Sequence, residues 1–302
     1  MSKASIIKFL AALLLASWAV QGLMLYVAGT PDSAAAAPWL VGLMFFPTLA
    51  AIVYRVGFNK TAFRHVTLRL GNPAYLLLAA LIPVATAMIV LGVTLLAGWG
   101  QSDYFAFGRA GVTIVDGPWL LGLGGQSWPT FAANLTLTAA AYAAVNCVAT
   151  VGEEFGWRGF LQKPMIEQFG ITGGVALLGV VWGAWHLPTI LAGYNYPDTP
   201  VLGGLVLFPV LLAGASFIMA WLTIRARSFW PAVVMHGSIN GVHQGIVTHI
   251  TLTPGITRPY VDLTEIVVDL TVGAICLWVL TASGRRHGQA TTPASKHDAS
   301  DS

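Results

Sequence analysis

Charge is what this sequence has least of. Only 9% of its 302 residues are Asp, Glu, Lys or Arg, against about 25% in an ordinary soluble domain. Together with 56% hydrophobic residues, that scarcity excludes a soluble globular enzyme and implies one polytopic membrane domain. Cysteine is almost missing: Cys147 and Cys276 both lie in apolar runs without metal-type spacing, which excludes a disulfide framework. The net charge of +3 is spread along the loops, so no nucleic-acid partner is implied. There is no His-Glu-x-x-His helix and no Gly-x-Ser-x-Gly turn, so neither a zincin nor a serine hydrolase pattern is present. The chain shows no internal repeat of the kind transporters carry, and its Asp301-Ser302 end has no lipidation box.

What remains is a series of apolar runs, about eight of them long enough to span. They cover roughly 6–28, 38–54, 74–99, 131–157, 172–192, 201–224, 229–248 and 263–282. The expected fold is an all-α integral membrane bundle with a buried polar site. Its polytopic domain covers 1–283, the motifs lie within 131–248, and a disordered polar tail covers 284–302. The first run has the flanks of a signal peptide, Lys3 and Lys8 before it and Ser17-Trp18-Ala19 within it, but its apolar stretch continues through Leu23–Val27 and reads as a retained span. With the N-terminus inside, Arg109 and Arg258 are the only basic residues on the outer side, and every other Lys and Arg is cytoplasmic. This asymmetry obeys the positive-inside rule and puts both termini in the cytoplasm. The longest outer loop, about 100–130, contains Gly, Trp and Pro and either dips into the membrane or caps the bundle.

Against this background, polar side chains inside the runs stand out, because charge within a bilayer costs a few kcal/mol per residue and usually marks function. Glu153, Glu154 and Arg158 interrupt a segment whose preceding residues 131–152 hold no ionisable group except Tyr142 and Cys147. Residues four apart share a helix face, so Glu154 pairs with Arg158. Glu153 lies about 100° round the helix, over Trp157, freer and partly desolvated, and thus suited to act as a general base. His186 sits in the following run. Phe169-Gly170-Ile171-Thr172-Gly173-Gly174 reads as a helix-hairpin turn that brings Glu153 and His186 to within about 5 Å of one level. His236 and Asn240 are four apart on a third run, and His243 returns to their stripe, lining a cavity or packing.

Each group has a plainer reading: an interfacial charge cluster, a histidine bonded to a carbonyl, and interhelical polar glue. Together they make a carboxylate and an imidazole able to activate one water, and an imidazole–amide pair able to stabilise an oxyanion, as peptide hydrolysis requires. Glu153, His186 and His236 are also types that ligate zinc, so a metal alternative stays open.

The ordered pattern Glu-Glu-x-x-x-Arg, aromatic-x-x-x-His and His-x-x-x-Asn resembles the CPBP family, which includes the type II CAAX prenyl proteases and the bacteriocin-processing and immunity (Abi) proteins. The matching residues are Glu153, Glu154 and Arg158, then Trp182 and His186, then His236 and Asn240. The family usually has Phe where this chain has Trp182. The resemblance implies an intramembrane endopeptidase in which Glu153 and His186 activate water, His236 and Asn240 hold the oxyanion, and Glu154 and Arg158 support the site. It implies a glutamate mechanism with no cofactor, a divalent metal such as zinc being the alternative. The expected partners are the lipid bilayer and a membrane-anchored protein or peptide, in a bacterial plasma membrane. Arg158, Lys163, Arg225 and Arg227 are expected to attract a C-terminal carboxylate or lipid headgroups at the cytoplasmic face. The competing reading within the family is a non-proteolytic immunity or scaffold protein. A proton-coupled carrier is a third reading, one that the clustered polar groups and the missing repeats oppose.

Overall fold

The computed structural model describes residues 1–60 and 63–289. The chain opens with α1 (Lys3–Ala28), followed by the short α2 (Ala37–Leu43) and by α3 (Phe46–Gly57), and then by α4 (Pro73–Leu96). Three of the next four strands, β1 (Gly100–Ser102), β2 (Phe105–Phe107), β3 (Gly111–Ile114) and β4 (Gly124–Ser127), form one antiparallel meander in the order β2-β3-β4. Helix α5 (Trp128–Glu154) passes through a π-helical turn (Phe155–Leu161) into α6 (Gln162–Trp185), and α7 (Leu187–Leu191) follows. The next stretch is α8 (Pro200–Leu202), a π-helical turn (Gly203–Leu207) and α9 (Phe208–Ala226). Then come α10 (Trp230–Ser238), a third π-helical turn (Ile239–His243) and α11 (Gln244–Thr248). Strand β5 (Ile250–Leu252) pairs antiparallel with β1, and α12 (Pro259–Gln289) ends the described chain.

The protein is an all-α membrane protein. Among the described residues, six helical stretches are long and apolar enough to cross a bilayer. All eight apolar runs of the sequence carry helix, but they are grouped differently. The runs 131–157 and 172–192 share one helical stretch, Trp128–Trp185. The run 38–54 is broken at Met44 and Phe45, just before Pro47. The loop 100–130 is not featureless: its meander buries Phe105, Val112, Ile114 and Trp119 in one apolar cluster with Val84 and Ala87 of α4 and Phe131 and Leu135 of α5. It therefore caps one end of the bundle. Helix α12 runs to Gln289, six residues into the segment 284–302 read as a disordered tail. The rest of that tail, 290–302, lies outside the described residues.

Three local features set up the interior. Gly170 has φ 73° and ψ 168°, a conformation open only to a residue without Cβ, and it breaks α6 where the hairpin turn was expected. Beyond that turn, Gly179 and Gly183 face α9. A Cβ at either would come 2.5 Å from a backbone Cα, that of Ala213 or of Pro209, so the two helices touch through their backbones. The C-terminal end of α6 has orphan carbonyls, and α1 satisfies two of them. Trp18 Nε1 donates to Ala184 O at 3.0 Å, and Gln21 Nε2 donates to Trp185 O at 2.8 Å. His186 thus stands at a capped helix end, with Pro188 starting the next turn.

Candidate active site

The two adjacent glutamates have separate partners. Glu154 is fully buried, and both of its oxygens accept from Arg158 Nη1 at 3.0 Å. Its Oε1 also accepts from His236 Nδ1 at 2.9 Å. Arg158 Nη2 donates to Ser216 Oγ of α9 at 2.8 Å, and the guanidinium lies 4.1 Å from the centre of the Trp182 ring. A buried ion pair persists only when its remaining donors and acceptors are met. Here an aromatic face and a hydroxyl meet most of that need, and Nε of Arg158 is the donor left without a hydrogen bond among the described residues.

Glu153 points elsewhere. Its Oε2 accepts from Trp182 Nε1 at 2.8 Å, a contact across 29 residues that the Gly170 turn makes possible. One turn on, His186 Nδ1 donates to Trp182 O at 2.9 Å, which leaves its Nε2 with a free lone pair. The ring is fixed on both sides, by Trp185 at 4.7 Å and Phe208 at 5.1 Å between centroids. Thr48 Oγ1 of α3 donates to Gly152 O at 2.5 Å, just before Glu153 and just ahead of the π-helical turn. Such turns, with their displaced carbonyls, recur at functional sites.

Glu153, His186, His236 and Asn240 line one cavity of about 170 Å³, together with Trp182 and His243. The structure thus brings together all four candidate site residues and places Glu154 and Arg158 directly behind His236. Two of the three π-helical turns flank these motifs, one directly after Glu154 and one containing Asn240. Glu153 Oε2 is engaged by Trp182 and His236 Nδ1 by Glu154. Among the described residues no three His, Cys, Asp or Glu groups converge as a metal-ligand set. The trio Glu153, His186 and His236 therefore does not fit a metal ion.

One expectation is corrected. Arg158 is 5% exposed and held by Glu154, so it is not available to attract an anion at a membrane face. The spacing had already paired it, and tertiary packing then closed it off. Lys163 is exposed and sits 3.6 Å from Glu167.

Several contacts of the site carried no signal in the sequence. Trp182 stood out only as the aromatic of the second motif, yet it touches Glu153 through its N–H, Arg158 through its ring face and His186 through its carbonyl. Trp18, Gln21 and Ser216 act across the chain and have no local pattern. Asp262, Glu265 and Asp269 also line the cavity. Their i, i+3, i+7 spacing in an apolar run was the available clue.

Residues 134–242 match the family model described as Type II CAAX prenyl endopeptidase Rce1-like. No curated protein matches the chain. The match covers about a third of the chain; that segment is similar to the type II CAAX prenyl endopeptidases, and the match supports a CAAX-type intramembrane endopeptidase in general.

Proposed function

We propose that the protein hydrolyses peptide bonds of membrane-anchored proteins or peptides at the cavity between α5, α6 and α10. The observation that carries this reading is the division of labour between adjacent carboxylates. Glu154 is spent on Arg158 and His236, while Glu153 faces the cavity with one oxygen free of Trp182. Glu153 takes a proton from water as the oxygen attacks the scissile carbonyl, and later gives it to the departing amine. His186 orients that water with its Nε2 lone pair. The developing oxyanion is held by the Asn240 amide and by His236 Nε2–H. For Nε2 to donate, His236 must be the imidazolium, since its Nδ1–H already points at Glu154; that carboxylate is the counter-charge. Arg158 holds the Glu154 carboxylate in place and acts through it.

The basic residues of the chain favour the Arg55, Lys163 and Arg225 end of the bundle as cytoplasmic, in a plasma membrane.

The test compares wild type with Glu153→Gln in cells, at equal insertion, by mass-spectrometric profiling of protein termini in the membrane fraction. Termini lost only in the variant support proteolysis and identify substrates. Identical termini from two well-folded proteins overturn it in favour of an immunity or scaffold role.

A further inference from the structure

The cavity does not end at Asn240. It continues along the π-helical turn to His243 and meets a face of α12 that bears Asp262, Glu265 and Asp269. These three acids recur at i, i+3 and i+7, hence on one face. One cation stands among them: Arg258 Nε donates to Asp262 Oδ1 at 3.0 Å and Arg258 Nη1 to Val247 O at 3.0 Å. Three carboxylates thus share one guanidinium, which is already used. His243 supplies a second, independent observation. It is 3% exposed, it lines the cavity, and neither ring nitrogen has a hydrogen-bond partner among the described residues. Its Nδ1 is 3.6 Å from Glu265 Oε1, beyond hydrogen-bond reach. Asp262 Oδ2 is likewise buried without a partner. Among the described residues Asp269 has the Thr86 hydroxyl as its one hydrogen-bonding neighbour and no cation. Buried polar groups are normally satisfied, so His243 and Asp262 Oδ2 mark this end of the cavity as short of partners beside three carboxylates.

We infer that His243, Glu265 and Asp269 form a subsite for a cationic side chain, ammonium or guanidinium, of the substrate in the proposed endopeptidase cavity. A single small ion would need ligands that converge, and among the described residues none do. The acids are instead spread over about 10 Å of α12, which suits a multi-donor group on a flexible stem. The subsite also has a register. His236 and His243 are seven residues apart, about 10 Å along the helix, and an extended peptide covers that span in about three residues. The cation therefore lies about three residues from the cleaved bond.

The inference rests on the endopeptidase reading for its register but not for its chemistry, and the experiment separates the two. Full-length Glu153→Gln protein in nonionic micelles is titrated with N-octanoyl-lysine amide and with its uncharged isostere, N-octanoyl-norleucine amide. The lysine compound is expected to bind about tenfold tighter, and that preference is expected to disappear in added Glu265→Gln or Asp269→Asn. Equal affinity of the two compounds overturns the subsite, and because that comparison needs no change on α12, a misfolded variant cannot rescue it. A preference that survives both substitutions also overturns it. In parallel, wild type is offered a peptide library. Cleavage without a Lys or Arg preference about three residues from the cut counts against the subsite while leaving proteolysis standing. A lysine preference in binding with no cleavage of any peptide keeps the subsite and removes the endopeptidase reading.

Discussion

The two ends of the cavity treat charge in opposite ways. At the Glu154 end both oxygens of Glu154, the two terminal nitrogens of Arg158 and Nδ1 of His236 have named partners within 3.0 Å, the Trp182 ring lies over the guanidinium, and only Nε of that guanidinium is buried without a hydrogen bond among the described residues. At the α12 end only Asp262 is paired with a cation, while His243 is left without a hydrogen bond. In a bilayer a satisfied network holds structure, whereas an unsatisfied one stores a cost that a ligand relieves. The contrast fits the proposed roles, reaction centre for the first end and recognition surface for the second.

The strongest way to break that comparison is Glu153→Gln. It keeps the shape and the Trp182 contact but removes the base, so cleavage should fall by about 10³-fold with unchanged thermal stability in micelles. A large drop in stability would mean that Glu153 belongs to the structural network instead. Arg158→Ala comes next. It strands Glu154 and His236 in a buried site and should cost about 3–5 kcal/mol, read as a lowered unfolding midpoint; a small change would mean that the network is not preorganised. Trp182→Phe sharpens the contrast further, because it keeps an aromatic face for Arg158 while deleting the N–H to Glu153. A hydrogen bond to a charged group contributes about 1.5–3 kcal/mol, so turnover should fall by about tenfold to a hundredfold, mostly in kcat, with little loss of stability. Equal activity would return Trp182 to the role of packing residue. At the other end, Glu265→Gln should leave the unfolding midpoint unchanged or raise it slightly, the reverse of Arg158→Ala, since it removes a carboxylate with no cation of its own.

The smallest expected effect lies outside the spans. His65 donates from Nε2 to Phe160 O at 3.0 Å, and burial holds its pKa below the ordinary 6.5. The folded state therefore resists the proton that the unfolded chain accepts. The contribution of His65 to stability is complete above about pH 6.5 and is lost as pH falls below it. His65→Gln should flatten this acid-side loss in a pH series of unfolding midpoints, and a series that matches wild type would show that His65 is not its source.

Much of this was legible without a structure, though unevenly. The Glu154–Arg158 pair followed from i, i+4 spacing, and the Gly170 break from a glycine-rich hexapeptide between two apolar runs. The convergence of Glu153 with His186 followed from counting residues on either side of that break. The helix grouping was less legible, because apolar periodicity does not reveal where a helix kinks or admits a π-helical turn. Trp182 was half legible for a different reason: ring size is visible in a sequence, but the direction of an indole N–H is not. The acids of α12 were overlooked because each is a single charge in an apolar helix. Their meaning comes from facing His243, on a segment that lies some twenty residues earlier.

The sequence by itself determined that the chain lives in a membrane, that it is helical, and which four polar residues are its candidate chemistry. Those conclusions depend on composition and on short spacings, which the helix repeat translates directly into position. Tertiary structure alone decided that Glu154 is shared between Arg158 and His236, that an indole holds Glu153, that α1 caps the helix carrying His186, and that one end of the cavity is left with unmatched acid. These are contacts between distant segments. They depend on where Gly170 turns the chain and on how closely Gly179 and Gly183 let α9 approach, and no local pattern encodes those distances.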